Sequence, residues 1–213
     1  MKIIGHRGAK GLAPENTKAS FKAALKAGVD LIELDIRTSA DGRLIVHHDP
    51  AIGKLGIATH TFAELKNEKA DLLTLKEALD VIQSTIPVII EIKKGSDMEV
   101  VIKKLKETNM PASTLIASFY MPALRAVKTA FPDIELIVNE KWSGVRGSYR
   151  CRKLGTKFIT MNERWLWGGF IRSMSRSGYK LSAYPLNNVK KARRYERYGL
   201  YGGVTDYPDR FTA

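Results

Sequence analysis

Two patterns of apolar residues alternate along the chain, one with a period of two residues and one with helical spacing. The clearest period-two segment is 31–36, where apolar residues alternate with Glu33 and Asp35, a pattern typical of a strand. The clearest helical segment is 74–82, where apolar residues recur at i, i+3, i+4 and i+7. Because strand and helix patterns keep alternating along the rest of the chain, parallel strands connected by helices are predicted.

Eight strands with connecting helices are expected, together with one hairpin strand at 44–48. The eight strands are predicted near 2–5, 31–36, 87–93, 114–118, 134–138, 158–161, 180–184 and 203–205. The helices are predicted near 14–27, 74–82, 98–107, 122–130, 147–153, 170–177 and 188–197. Eight such units close a (β/α)8 TIM barrel, so residues 1–213 are predicted to form a single barrel domain. An extra β-hairpin arm follows the second strand, and 50–70 is expected to be irregular and polar.

The hairpin is predicted to turn at Asp41-Gly42, because both residue types tolerate a positive φ. If the turn is centred there, Asp35 lies opposite His48, and His47 points to the other face. Two acids on one strand face oppose each other's ionisation, which indicates a neutralising cation. The alternative is a solvated hairpin edge with scattered charges.

Polar residues recur at the carboxyl ends of the predicted strands, which is where barrel enzymes place their catalytic groups. They are His6, Arg7, Glu33, Asp35, Glu91, Lys93, Ser118, Asn162, Asn187 and Asp206. One such placement means little, but the recurrence predicts an active site at this end of the barrel.

Glu33, Asp35 and Glu91 offer three hard oxygen ligands. Such ligands suit one divalent ion, Mg²⁺ or Ca²⁺, and the chain lacks the Cys and His content expected of a zinc site.

Two histidines from different strands, His6 and His48, suit a proton donor and a proton acceptor near neutral pH. Arg7 and Lys93 add fixed positive charge of the kind that holds a phosphoryl group. Together with a hard metal, these groups predict phosphodiester cleavage, while His60 is expected to be structural.

At these positions the chain resembles the glycerophosphodiester phosphodiesterase family. The resemblance rests on His6-Arg7-Gly8, Pro14-Glu15-Asn16-Thr17, Glu33-Leu34-Asp35, Asp41-Gly42, His48-Asp49, Glu91-Ile92-Lys93 and Thr205-Asp206-Tyr207-Pro208, in family order over nearly the whole chain. It implies a (β/α)8 barrel in which Glu33, Asp35 and Glu91 bind the metal. It also implies that His6 and His48 are the acid–base pair and that Arg7 and Lys93 contact phosphate.

The sequence departs from the family pattern in the residues expected to form the substrate pocket. The family's insertion after the His-Asp pair is shortened to about 50–71 and lacks its Arg-Thr-Thr segment. The family's late Trp-Thr-Val-Asn segment is Tyr184-Pro185-Leu186-Asn187 here. We assign pocket roles to Ser118, Phe119, Asn162, Tyr184 and Asn187. Glycerophosphodiesters are the expected substrates, with lysophospholipase D-like cleavage of lysophospholipids as the alternative.

The net charge of +13 is concentrated in the second half of the chain. Such a half attracts anions, so a nucleic-acid-binding protein on a retired barrel is a rival interpretation. All acids and histidines of the expected site are present, which favours the enzyme, and no nucleic-acid partner is expected. Cys151 is the single cysteine, and neither a signal peptide nor a membrane-spanning run is found, so a cytoplasmic location is expected.

An aromatic and basic segment, 164–172, follows the strand at 158–161 and is expected on the rim of the active site. Its members are Trp165, Trp167 and Phe170 with Arg164 and Arg172, and Arg176 follows them. This composition suits peripheral contact with an anionic membrane. The alternative is that the aromatic side chains pack against the barrel.

Overall fold

Eight parallel strands close a barrel in this computed structural model, which describes residues 1–83, 86–108, 110–111 and 113–211. The barrel closes because its first strand pairs with both its last strand and its second. The barrel strands are β1 (Lys2–Gly5), β2 (Leu31–Thr38), β7 (Val88–Ile92), β8 (Leu115–Ser118), β9 (Glu135–Glu140), β10 (Phe158–Asn162), β11 (Lys180–Tyr184) and β12 (Gly202–Thr205). Between β2 and β7 lie the short strands β3 (Leu44–Val46), β4 (Ala51–Ile52), β5 (Leu55–Gly56) and β6 (Leu73–Thr74). The predicted (β/α)8 barrel is confirmed.

Helices connect successive barrel strands and cover the outside of the barrel. They are α1 (Lys18–Lys26), α2 (Phe62–Glu68), α3 (Leu75–Ile82), α4 (Met98–Glu107), α5 (Met121–Ala130), α6 (Gly144–Leu154), α7 (Gly168–Arg176) and α8 (Val189–Glu196). Helix α1 begins later than predicted because Thr17 caps it, accepting a hydrogen bond from the Ser20 N–H at 3.3 Å. In the described ranges, no helix combines the length and the apolar character needed to cross a membrane.

The alternation of residues along the strands separates two apolar layers. Side chains inside the barrel form one buried cluster: Ile4, Leu31, Ile89, Ala117, Ile137 and Val204. Ile32, Leu34 and Ile36 of β2 point outward and join the larger cluster beneath the helices. Because neighbouring strand residues face opposite sides, Glu33 and Asp35 point into the barrel, beyond the apolar inner cluster.

The hairpin strand β3 runs antiparallel to the end of β2, with Ile36 beside Val46. The predicted pairing of Asp35 with His48 is wrong by one residue, because the Asp35 carbonyl accepts from the His47 N–H at 3.1 Å. The turn contains three residues, 40–42, rather than two. Gly42, with φ of 72°, takes the left-handed position that ends such a loop.

The segment 50–71 is ordered, so the expectation of an irregular stretch is wrong. Strands β4 and β5 form a small hairpin, and α2 starts at a capping box in which Thr61 and Glu64 bond each other's backbone. A separate apolar cluster holds this segment against the back of β3: Ile45, Ile52, Ile57, Leu65 and Leu72.

Glu140, the last residue of β9, carries a buried carboxylate that accepts hydrogen bonds from backbone and side chains. Its Oε1 accepts from the N–H groups of Lys141 at 2.9 Å and Trp142 at 3.1 Å. Arg146 contacts the carboxylate at 2.6 Å and Arg150 at 3.4 Å. Burial alone would raise the pKa of Glu140, but these donors lower it to about 2. This carboxylate therefore fixes the loop after β9 and the start of α6.

We expect Glu140→Gln to destabilise the fold at pH 7 by roughly 1–2 kcal/mol, a value kept modest because Arg146 is half exposed and screened. The folded pKa, about 2, lies below the ordinary 4.5. The carboxylate's contribution is therefore complete above the unfolded pKa and is lost as the pH falls toward 2. Urea unfolding at pH 7 and pH 3 measures the difference. An equal difference at both values would show that the charge of Glu140 plays no part.

Candidate active site

Three carboxylates converge inside the barrel at the carboxyl ends of two neighbouring strands. The parallel register places Asp35 of β2 beside Glu91 of β7, and Glu33 lies two residues before Asp35 on the same inward face. One oxygen from each lies within 4.8 Å of the others, and no member is more than 7% exposed. A compact set of buried oxygens of this kind suits a hard divalent cation.

Two cationic side chains, Lys93 and Arg7, face these carboxylates. Both were predicted from the sequence to bind phosphate. Lys93 Nζ lies 2.7 Å from Asp35 Oδ1 and also contacts Glu91. Arg7 Nε lies 3.2 Å from Asp35 Oδ2, and the Arg7 backbone N–H donates to Glu33 Oε2 at 2.8 Å. These contacts fix the orientation of all three acids.

The two cations do not neutralise the three acids completely. Burial raises the pKa of Glu33 well above its ordinary value, and the charges of Asp35 and Glu91 raise it further. Burial also raises the pKa of Glu91, against the opposing charge of Lys93. Burial would raise the pKa of Asp35 as well, but Lys93 and Arg7 lower it to about 2. A divalent cation would supply the missing positive charge, so the residues present fit a metal ion.

The turn after β1 holds Arg7 in an unusual backbone conformation. Its φ is 51°, which few residues other than glycine adopt. The guanidinium donates to both oxygens of Glu15, at 2.7 and 2.8 Å. The next residue, Gly8, has φ of 82°, and a Cβ there would lie 2.6 Å from the backbone of Ser20. Glycine therefore allows the turn to pack against α1 with Arg7 held toward the acids.

Two asparagines bind the acids, and neither was predicted as a site residue. Asn16 Nδ2 donates to Asp35 Oδ2 at 2.9 Å, and Asn139 Nδ2 donates to Glu91 Oε2 at 2.9 Å. A signal for Asn16 was available in the Pro14-Glu15-Asn16-Thr17 motif. Asn139 is an inward-facing residue of β9, which only the three-dimensional register reveals.

His6 is oriented by a carboxylate from the opposite end of the chain. Its Nδ1 lies 2.6 Å from Asp206 Oδ1, and Asn187 Nδ2 donates to Asp206 Oδ2 at 2.8 Å. Asn187, predicted to line the pocket, instead holds Asp206 in place. Burial lowers the pKa of His6 despite the opposing effect of the bond to Asp206. With a proton on Nδ1 shared with Asp206, Nε2 is the nitrogen that can exchange a proton with a substrate.

His48 resembles His6 in having a carboxylate at Nδ1, here Asp49 Oδ1 at 2.7 Å. Arg37 Nε donates to the His48 carbonyl at 2.9 Å and so fixes the backbone just beyond β3. Burial and the charge of Lys93 lower the pKa of His48. His48 therefore lines the cavity as predicted, although the predicted pairing of Asp35 with His48 is wrong. His47 is not among the residues that line the cavity.

A cavity of about 480 Å³ joins these groups. Its lining includes the expected site residues His6, His48, Arg7, Lys93, Glu33 and Glu91, and the expected pocket residues Phe119, Asn162 and Tyr184. Phe119 and Tyr184 meet edge to face, with ring centroids 5.9 Å apart. Ser118 lies outside this lining, and its buried Oγ donates to the Ile92 carbonyl at 2.7 Å. Lys10 and Lys141 line the cavity without having been predicted.

Comparison with known proteins adds a family assignment. The model of the Glycerophosphoryl diester phosphodiesterase family matches residues 6–210. The glycerophosphodiester phosphodiesterase of Caldanaerobacter subterraneus subsp. tengcongensis is 28% identical over 97% of this chain and 94% of its own length. A human lysophospholipase D is 30% identical over 50% of this chain and 40% of its own length.

A solved structure has the same fold over nearly the whole chain. It is a phosphodiesterase of Oleispira antarctica in complex with the product sn-glycerol-3-phosphate. The TM-score is 0.88 at 24% identity, covering 99% of this chain and 94% of that chain. Since the family match runs from His6 past Asp206 and covers every barrel strand after β1, this chain belongs to the glycerophosphoryl diester phosphodiesterase family and is a phosphoric diester hydrolase.

Proposed function

We propose that this enzyme hydrolyses glycerophosphodiesters to sn-glycerol 3-phosphate and an alcohol, using one divalent metal ion and two histidines. The observation that carries the proposal is a cluster of three buried carboxylates, two of which line one cavity at the carboxyl end of the barrel together with two imidazoles and two cations. The product in the Oleispira antarctica structure, sn-glycerol-3-phosphate, supports this choice of substrate.

Glu33, Asp35 and Glu91 would hold the metal, either Mg²⁺ or Ca²⁺. Such an ion polarises a phosphate oxygen and stabilises negative charge on it. Asn16 and Asn139 keep two of the three carboxylates aimed at the site through their amide hydrogen bonds. This support from neighbouring side chains is the usual way in which proteins fix metal ligands.

The two cations bind the phosphate, and the two histidines transfer protons. Arg7 and Lys93 bind the phosphate oxygens, where fixed positive charge favours the transition state. One imidazole of the pair His6 and His48 takes the proton of the attacking hydroxyl, and the other protonates the departing alcohol. The accepting ring starts neutral, and the donating ring must carry a proton on Nε2. Burial lowers the pKa of both rings, so the donor is charged only with the negative phosphodiester beside it. The attacking hydroxyl comes from water or from the glycerol of the substrate.

Lysophospholipids are the second candidate substrates, cleaved in the manner of a lysophospholipase D. The observation that favours them is the aromatic wall of the cavity, where Phe119 and Tyr184 meet. Phe119 is 40% exposed and can contact an apolar group that extends out of the cavity. The similarity of half of this chain to the human lysophospholipase D agrees with this candidate.

We expect Glu91→Gln to abolish hydrolysis of glycerophosphocholine and excess EDTA to do the same to the wild-type enzyme. The amide keeps the shape of Glu91 but removes a charged metal ligand, so the fold should survive. Release of choline measures turnover, and circular dichroism checks the fold. Full turnover in excess chelator would contradict the assignment of a metal ion to the site.

His6→Ala and His48→Ala should each lower kcat by roughly 10²–10⁴-fold, the usual contribution of general acid–base groups. His47→Ala is the matched control, because the neighbouring ring does not line the cavity, and it should cost far less. Steady-state kinetics on glycerophosphocholine with the three variants make the comparison. Equal damage from His47→Ala would mean that the wrong imidazole has been assigned.

Asp206→Asn should lower kcat by roughly 10²–10³-fold with little change in KM, because the amide no longer selects the productive tautomer of His6. Asp206 is a positioning residue, since it acts through His6. Asp209→Asn, an exposed acid three residues later, is the control and should leave both constants unchanged. A rise in KM with kcat preserved would contradict the orienting role.

A further inference from the structure

We propose that the carboxyl-terminal face of the barrel docks on an anionic lipid surface. Exposed large hydrophobic side chains are unevenly distributed over the described part of the molecule. All of them lie on the segments that follow β1, β8, β9 and β10, either in loops or in the first two turns of the next helix. These segments surround the mouth of the catalytic cavity. Exposed apolar groups gathered on one face of a protein mark an interaction site.

The strongest part of this face is a tryptophan cluster, which we define as Trp142, Trp165 and Trp167. The three side chains line one shallow groove together with Val145 and Phe170. Trp167 is 65% exposed and Val145 is 81% exposed. Of the aromatic residues that the sequence suggested for a lipid contact, Trp165 and Trp167 are exposed, while Phe170 packs against the core. The structure adds Trp142, which lies far from them in sequence.

Positive charges accompany the tryptophan cluster. Lys141 Nζ lies 5.2 Å from the ring of Trp142, and Arg146 Cζ lies 5.8 Å from the same ring. Arg164 lines the groove. The nearby acid Glu140 is buried beneath the arginines and is bonded to them. A face that presents indole rings and cations together matches the boundary of an anionic bilayer, where rings enter the headgroup region and cations meet phosphates.

The same loops line both the groove and the catalytic cavity. After β9, Lys141 lines the cavity and the next residue, Trp142, lines the groove. Asn162, the last residue of β10, lines the cavity, and Arg164 just beyond it lines the groove. Docking through this face would therefore bring the cavity mouth to the lipid surface. On the proposed function, this geometry delivers lysophospholipids to the site directly from the bilayer.

Charge argues for a lipid surface over a second copy of the chain. A symmetric dimer through this face would bring Lys141, Arg146 and Arg164 against the same cations of its partner. The chain as a whole carries a net charge of +13, which adds to the repulsion and to the attraction for anionic lipid.

The test uses tryptophan fluorescence, because the chain contains three tryptophans and all belong to the cluster. Vesicles of phosphatidylcholine with phosphatidylglycerol should shift the emission to the blue, and brominated lipid should quench it. Vesicles of phosphatidylcholine alone should bind more weakly. Binding should also weaken as salt rises, because exposed charges are screened beyond ~8–10 Å at physiological ionic strength.

Co-sedimentation with the same vesicles tests the variants. Trp165→Ala with Trp167→Ala should lower partitioning by at least about tenfold, and Arg164→Gln should lower it by about fivefold. The matched charge control is Lys76→Gln in α3, the helix that leads into β7. The barrel strand before that helix, β2, lies across the barrel from β10. Lys76 is also exposed, and its replacement should leave binding nearly unchanged.

Three results would overturn the docking proposal. One is emission that stays unshifted with anionic vesicles while the protein remains in the supernatant. Another is a blue shift without vesicles that grows with protein concentration and accompanies a dimer in analytical ultracentrifugation. The third is equal loss of binding in Lys76→Gln and Arg164→Gln. Turnover of soluble glycerophosphocholine by the double Trp variant should stay at the wild-type level. Loss of vesicle binding with preserved turnover would support the docking proposal without testing the reaction. Failure of the wild-type enzyme to hydrolyse glycerophosphocholine would instead contradict the proposed reaction.

Discussion

Mutual repulsion among Glu33, Asp35 and Glu91 is the constraint on which the site depends. Three carboxylates buried within 4.8 Å of one another are costly unless positive charge or hydrogen-bond donors surround them. Arg7 and Lys93 supply part of the positive charge that is needed. The pKa of Glu33 is still raised by its burial and by the charges of Asp35 and Glu91. The strained backbone of Arg7 has the same origin, because it brings both a guanidinium and an N–H to the acids. On the proposed function, a bound divalent cation and the anionic phosphodiester would complete the balance of charge.

Strand β2 shows how one barrel strand carries both the residues that stabilise the fold and the residues of the candidate active site. In β2, Ile32, Leu34 and Ile36 pack under the helices, while the residues between them change from Leu31 in the apolar interior to acids near the mouth. Rigid strands thus hold the three carboxylates, and the loops beyond the strands carry the two histidines. The segments that lead into α6 and α7 carry the exposed tryptophan cluster.

The sequence predicted those features that depend on local pattern and failed where distant segments meet. The alternation around Glu33 and Asp35 identified both the strand and the inward acids, since a two-residue period is a local property. The predicted hairpin register is wrong because Asp41-Gly42 is compatible with loops of two or three residues. The order of 50–71 depends on apolar packing against β3, which no local pattern shows. Asn139 and the role of Asn187 could not be found, because each depends on which strands are neighbours.

The central claim, that the three carboxylates form a site for one divalent ion, is tested most directly by calorimetric titration of the protein with Mg²⁺ and with Ca²⁺. The account predicts one ion bound per chain in the wild-type protein and in Glu135→Gln, which removes an exposed acid from the far end of β9. It predicts loss of binding in Asp35→Asn, in a protein that remains folded. Equal binding by Asp35→Asn and the wild-type protein, or no binding by either, would contradict it.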